Sequence, residues 1–265
     1  VADEKAPALY FGDFAKNLYH AAEDGFDAME IHLRDPLMYD SDALNTACEQ
    51  SGIKISGIAT GLSNAVDGLS LIDDDYDGRT AAVMRLKSFI DLASEINAAV
   101  LVGRMKSHIR DFSKQGQYES LLADSLLRAG EYAERKGVDI MLEAINRYES
   151  NYRYTIAGIA ALITEYDIPS TRILMDTFHM NIEEVDLCQA VEKNFSLLGY
   201  FHFADSNRMY PGGGHTDLKA VYQTLCNLGY EGYIGIECLP IPDGDTAAKR
   251  AMSYMKSLPF IFARK

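Results

Sequence analysis

The sequence has 265 residues, 48% of them hydrophobic and 24% charged, an ordinary globular composition with ample material for a core. Its 39 acidic and 25 basic residues give a net charge of -14 at pH 7. Such a surface repels nucleic acid and anionic membranes and favours work on small molecules. No apolar run approaches the ~20 residues that cross a bilayer. The opening VADEKAPALY lacks the basic and long apolar regions of a secretory signal. It also lacks an initiator Met, which reads as a processed, fused or truncated N-terminus. The four cysteines (Cys48, Cys188, Cys226, Cys238) are scattered and form no CxxC. That pattern reads as reduced thiols in a cytoplasmic protein. The first three fall in expected helices. Cys238 should face away from Glu237 and is given no chemical role.

In chain order, a first helix is expected over about Phe11–Asp24. Short apolar, β-rich runs then alternate with amphipathic stretches. The expected strands are Ala28–Leu33, Lys54–Thr60, Ala99–Met105, Asp139–Ile145, Arg172–Phe178, Tyr200–Asp205 and Gly232–Leu239. Most are nearly continuous apolar runs, as in strands buried on both faces of a parallel sheet. Between them, Val83, Leu86, Phe89, Ile90, Ala93 and Ile96 recur at helical spacing. Leu121, Leu122, Leu126, Leu127, Tyr132 and Ala133 do so approximately, with Gly130 weakening that helix locally. Asp217 should cap a helix over Leu218–Leu228 closed by Gly229, and Asp243–Ser257 forms the last helix. No linker or low-complexity tract divides the chain, so residues 1–265 read as one domain.

Seven strands and eight helices in alternation define an α/β class, either a barrel or a doubly wound sheet. The first helix precedes the first visible strand. An eight-stranded barrel needs a strand before that helix, and Val1–Tyr10 is no convincing core strand. The first barrel strand is therefore expected to be absent from this chain.

The strand ends carry the chemistry. Glu143, Asp176, His202 and Glu237 stand at the C-terminal ends of four consecutive strands, separated by 33, 26 and 35 residues, about one βα unit each. In a parallel barrel those ends converge on one mouth, where active sites lie. Three carboxylates and one imidazole suit Mn²⁺, Co²⁺ or Mg²⁺ better than a thiolate-loving metal. Without a cation, at least one carboxylate would have to stay protonated. Taken singly, each residue has a bland reading. Asp176 can cap a turn, His202 can be a satisfied core histidine, and Glu143 and Glu237 can pair with Arg147 or Arg208. Four in phase on four successive strand ends are much harder to explain that way.

Other signals are weaker. His215, in GGGHTD, reads equally as a substrate contact and as a loop residue beside the cap Asp217. PGGGH can form a backbone anion site or a flexible turn. Arg104, Lys106, His108 and Arg110 can receive an anionic group, although a solvated loop is the better reading for all but Arg104. Glu30 and His32 share a strand, and one of them is expected to face the barrel interior, Glu30 as a polar core residue. Asp73–Asp75 reads as a solvated acidic loop.

The stretches LEAINRYE (Leu142–Glu149), MDTFHMNIEE (Met175–Glu184), HFADSNRMYPGGGHTD (His202–Asp217) and GIECLP (Gly235–Pro240) resemble the xylose isomerase-like TIM barrels, in particular the ketose 3-epimerases of the D-tagatose/D-psicose (allulose) type. ADSNR, PGGGH, IECLP, GLSNAVDGLSL (Gly61–Leu71) and IHLRDP (Ile31–Pro36) look most like the branch that includes 5-keto-L-gluconate epimerase. The resemblance covers essentially the whole chain. It implies a (β/α)8 barrel, metal ligation by Glu143, Asp176, His202 and Glu237, and acid/base roles for Glu143 and Glu237. It also implies that Glu149, His179 and Arg208 hold the first three oxygens of a sugar, and that the protein is a homo-oligomer, dimer or tetramer. One departure is the absence of Trp, which several family members place near the substrate; here Phe, Tyr or Met must pack the sugar face.

The implied reaction is inversion of C3, next to the ketone, in a ketose or keto-sugar acid. One glutamate removes the proton from one face and the other returns a proton to the opposite face, through a metal-stabilised enediolate. An aldose–ketose isomerase can use the same ligands. An AP endonuclease-type nuclease needs more histidines at other strand ends, which here read Ala59-Thr60 and Gly103-Arg104. A non-catalytic sugar-binding subunit does not need two glutamates on a cation. The expected partner is a small-molecule sugar, with no nucleic acid and no membrane.

Overall fold

Alternating apolar runs and capped amphipathic segments build one continuous, all-parallel sheet. The computed structural model describes residues 6–259. Its strands are β1 (Ala28–His32), β2 (Lys54–Ala59), β3 (Ala99–Val102), β4 (Ile140–Glu143), β5 (Thr171–Asp176), β6 (Leu198–Phe203) and β7 (Ile234–Ile236). Each pairs in parallel with the next, in sequence order. The helices among the described residues are α1 (Phe14–Asp24), α2 (Ser41–Ser51), α3 (Gly61–Asp67), α4 (Tyr76–Ile96), α5 (Gln115–Lys136), α6 (Ile156–Glu165), α7 (Thr177–Glu183), α8 (Leu187–Asn194), α9 (Leu218–Asn227) and α10 (Gly244–Ser257). That is two more than the sequence suggests. α3 and α7 follow strand ends directly and are too short to display a repeating apolar face.

Part of the acidic excess caps helices. The carboxylates of Asp13, Asp40, Asp75, Asp186, Asp217 and Asp243 accept backbone N–H groups at the starts of α1, α2, α4, α8, α9 and α10. Each such cap is worth about 1 kcal/mol. Asp75 therefore belongs to a helix start, and Asp74 accepts from Tyr118 Oη at 3.0 Å, so Asp73–Asp75 is more than a solvated loop. Helix α5 runs unbroken through Gly130, where an added Cβ would strike the Pro169 carbonyl. The glycine allows that close approach.

Successive side chains alternate between two sides of the sheet. Val100, Val102, Ile140, Leu142, Ile173 and Met175 point outward into the main core under the helices, with Phe201 and Phe203 of β6. Full burial of each contributes about 1.5–3 kcal/mol. Leu101, Met141, Leu174 and Tyr200 point inward and plug the barrel, and Tyr200 Oη shares a 2.7 Å hydrogen bond with Ser56 Oγ. The inward phase continues one step further along the same strands to Glu143, Asp176 and His202.

β1 and β7 do not pair with each other among the described residues. A cavity of about 810 Å³ lies between them, lined by both edges and by Leu9, Tyr10, Phe14 and Met252. Residues 6–10 form no strand; Val1–Lys5, part of the segment judged an unconvincing strand, lies outside the described residues. Several strands end earlier than expected. Arg104–Lys106 form a 3-10 turn after β3, and Thr177 already starts α7. No described helix is long and apolar enough to cross a membrane.

Candidate metal centre and active site

β5 hands directly to α7 at Asp176, and the two oxygens of that carboxylate divide the labour. Oδ1 caps α7 by accepting from Phe178 N at 2.7 Å. Oδ2 turns inward, fully buried and without a hydrogen-bond partner. Asp176 pairs in register with His202, and His202 with Gly235. Glu143 ends β4 and Glu237 directly follows β7. Glu143, Asp176, His202 and Glu237 thus each bring one ligand atom within 4.8 Å of the others.

Three of these atoms test whether a cation fits. Glu143 Oε1, Asp176 Oδ2 and His202 Nδ1 are buried and have no hydrogen-bond partner. A buried polar atom without a partner costs about 1–3 kcal/mol, and three converging on one point form a ready-made divalent site. The donor set of carboxylate oxygens and one imidazole nitrogen matches a hard or borderline divalent cation. Burial, with Glu237 adding to it, pushes the Asp176 carboxyl up to about 7 despite His179 and His202 nearby. His202 goes the other way. Burial disfavours its charge, but Glu30, Glu237 and Asp176 outweigh that and raise it to about 10. Mutual perturbation of this kind makes the four a candidate functional cluster.

A second circle of side chains surrounds the four. Arg208 donates through Nη1 to Glu149 Oε1 at 3.0 Å and through Nη2 to Glu237 Oε2 at 2.9 Å. Its guanidinium lies 4.8 Å from the centre of the Phe178 ring. Burial opposes the charge of Glu237, yet His202 and Arg208 hold its carboxyl below the usual range. His179, on α7, is buried with Nε2 3.3 Å from Glu143 Oε1. Asn146 Nδ2 and His179 Nδ1 lie 2.7 Å apart; with the amide as donor the ring proton sits on Nε2, whose approach to Glu143 Oε1 falls short of hydrogen-bond geometry. Arg104 is exposed at the rim, its Nη2 3.8 Å from Glu149 Oε2.

The structure thus gathers Glu143, Asp176, His202, Glu237, Glu149, His179 and Arg208, with Arg104 at the edge. His215 stands apart: it is exposed, and its Nδ1 lies 2.8 Å from Ser206 Oγ. The adjacent glycine-rich loop does form a backbone anion cradle, but its occupant is internal. Asp205 accepts from Ser206 N, Gly212 N and Thr216 N at 2.8–3.0 Å.

Two expectations and one bland alternative need correction. Lys106 is no solvated residue. It is buried, its Nζ donates to the carbonyls of Tyr152 and Arg153 at 3.3 and 3.1 Å, and burial brings its ammonium down to about 8. Arg147 does not pair with Glu143; it grips Glu183 through three N–H groups. Glu30 and His32 both face inward, because residues two apart on a strand share a side. Glu30 Oε1 lies 3.1 Å from His32 Nε2, and Glu30 Oε2 accepts from His202 Nε2 at 2.8 Å. Asn146, in the loop after β4, carries no local signal of a site role, and only the folded loop brings it to His179.

The family model described as "Xylose isomerase-like TIM barrel" matches residues 18–258. A ketose 3-epimerase of Arthrobacter globiformis is 31% identical over 218 residues, covering 81% of this chain and 74% of that protein. A 3-dehydro-D-guloside 4-epimerase of Escherichia coli K12 is 27% identical, covering 87% and 88%. The crystal structure of D-psicose 3-epimerase with D-tagatose, from Clostridium cellulolyticum H10, superposes with a TM-score of 0.82 at 24% identity, covering 94% of each chain; at that identity it speaks for the fold. The inward phase of the strand-end cluster and these matches agree: the chain belongs to the xylose isomerase-like TIM barrel family.

Proposed function

We propose that this protein is a metal-dependent carbohydrate epimerase that inverts the carbon next to the ketone (C3) of a ketose or keto-sugar acid. The observation that carries this reading is the convergence of Glu143, Asp176, His202 and Glu237, with three buried donor atoms left without partners. The relatives support the class, since two of them are a ketose 3-epimerase and a 3-dehydro-D-guloside 4-epimerase.

Glu143, Asp176, His202 and Glu237 would hold a divalent cation, Mn²⁺ in the first instance. When bound, it would supply Lewis acidity that makes a C–H beside a ketone more acidic. Glu143 comes from β4 and Glu237 from the end of β7, three strands away in the sheet. One takes the proton and the other returns one on the opposite face. Arg208 holds Glu237 charged and in place, and His179 presents its Nε2 proton at Glu143. Arg208, His179 and Glu149 bind the sugar oxygens nearest the reacting carbon. Arg104 at the rim and His215 on the loop after β6 serve the far end. Phe178, beneath Arg208, offers the apolar face that Trp would otherwise supply. The working protein is a cytoplasmic homo-oligomer.

The test is product analysis by NMR with a panel of ketoses and keto-sugar acids, before and after chelation. A ketone-adjacent epimer that forms only with divalent metal supports the reading. Aldose formation makes it an isomerase, and turnover that survives complete chelation contradicts the metal role.

A further inference from the structure

His202 is held from three directions. Glu30 Oε2 accepts from its Nε2 at 2.8 Å. The Tyr200 ring stands edge-on to it, centroids 5.4 Å apart at 90°. On the β7 side, its register partner is Gly235, where an added Cβ would lie 3.0 Å from His202 Cδ2. A carboxylate accepts and never donates when ionised, so the hydrogen bond to Glu30 places a proton on Nε2. That leaves Nδ1, 3.9 Å from Asp176 Oδ2 and 3.8 Å from Glu237 Oε2, as the nitrogen facing the cluster.

Glu30 is itself held, because His32 Nε2 lies 3.1 Å from its other oxygen, Oε1. The strand β1 thus carries a pair, His32 and Glu30, that reaches across the barrel to one ring. Glu30, His32 and Glu237 also bring ligand atoms within 4.8 Å of one another. Both Glu30 oxygens, however, already face ring nitrogens, and neither is left over in the way that Glu143 Oε1 and Asp176 Oδ2 are.

The geometry points to Glu30, braced by His32, as the positioning residue that fixes the tautomer and orientation of His202 so that Nδ1 is available to a divalent cation. A carboxylate behind a ligating imidazole locks its rotation and strengthens its donor nitrogen, and losing such a partner costs about 10–100-fold in metal affinity. This inference rests on the metal reading of the four-residue cluster.

The experiment is calorimetric titration of Mn²⁺ into the chelator-stripped wild type, Glu30→Ala and Glu30→Gln. It is paired with long-range ¹⁵N NMR of the histidine rings in the Mg²⁺-loaded wild type. The wild type should bind one ion, with His202 protonated at Nε2 and not at Nδ1. Glu30→Ala should bind about 10–100-fold more weakly. Glu30→Gln should lose about threefold to tenfold, since its amide oxygen still accepts but without the charge. If Glu30→Ala does not fold, the near-isosteric Glu30→Gln decides. Wild-type affinity in Glu30→Gln and in any folded Glu30→Ala overturns the inference while leaving the metal site standing. So does a proton on Nδ1. Two ions in the wild type and one in the variants would make Glu30 a ligand of a second ion and also overturn it. A wild type that binds no divalent cation removes the metal reading and this inference together.

Discussion

Arg208 bridges the two carboxylates Glu149 and Glu237, with donor distances of 3.0 and 2.9 Å. The residue does this from a left-handed backbone conformation, φ +59°, a region that non-glycine residues enter rarely. The fork geometry is what matters, since lysine has the charge but cannot span two carboxylates in one plane. Arg208→Lys is expected to lower kcat/KM by about 10–100-fold, or about 1.4–2.7 kcal/mol of transition-state stabilisation. Steady-state kinetics on the substrate found by the product screen check this, and unchanged kcat/KM would show that the bridge is idle.

Glu143→Gln and Glu237→Gln each remove one base and keep the side-chain shape. Each should lower turnover by about 10²–10⁴-fold. The sharper expectation is an asymmetry. With one base left, a variant should still exchange the ketone-adjacent proton of one epimer with solvent while failing to interconvert the two. Exchange and interconversion measured on each epimer separate this from a plain loss of metal.

Gly103 makes room for Glu143. An added Cβ there would overlap Glu143 Oε2 and come within 3.0 Å of Ile145 Cδ1. Gly103→Ala must shift the Glu143 carboxylate from its present position. A small misplacement of a catalytic group costs on the order of 10²-fold. The expected outcome is that loss of turnover with a folded protein, checked by kinetics beside circular dichroism. Full activity would mean that Glu143 tolerates displacement.

Asp205 organises the loop after β6. Burial works against its charge, but the backbone N–H groups of Thr216, Ser206, Gly214 and Gly212 outweigh it and hold the carboxyl below its ordinary range. A depressed carboxylate contributes stability above its unfolded value, about 4, and loses it as pH falls through the folded one. Asp205→Asn should therefore destabilise at pH 7 by about 1.5–3 kcal/mol, and the gap to wild type should narrow below about pH 4. Urea unfolding across pH checks it; a gap that widens in acid would contradict the assignment.

The sequence carried the phase of the strands well. Buried parallel strands are nearly continuous apolar runs, so a charged residue at the end of each stands out. That is why Glu143, Asp176, His202 and Glu237 were visible as a set and converge in space. The same period-two rule, applied to β1, puts Glu30 and His32 on one side together, and the distinction drawn between them had no physical basis. A lysine in a polar-looking stretch, such as Lys106, reads as solvated by default. Its burial depends on the carbonyls of Tyr152 and Arg153, 46 and 47 residues away, and no local pattern encodes that. The glycine run looked like an anion cradle or a flexible turn, and only the fold shows that Asp205 fills it.

In the proposed reaction two glutamates at a metal-holding cluster move a proton at the carbon beside a ketone. The direct measurement is NMR of the metal-loaded enzyme turning over in D₂O. One solvent deuteron is expected at the inverted carbon of the product and none at the other carbons. Inversion without deuterium at that carbon in any turnover, or deuterium confined to C1 or C2 with an aldose product, would contradict it.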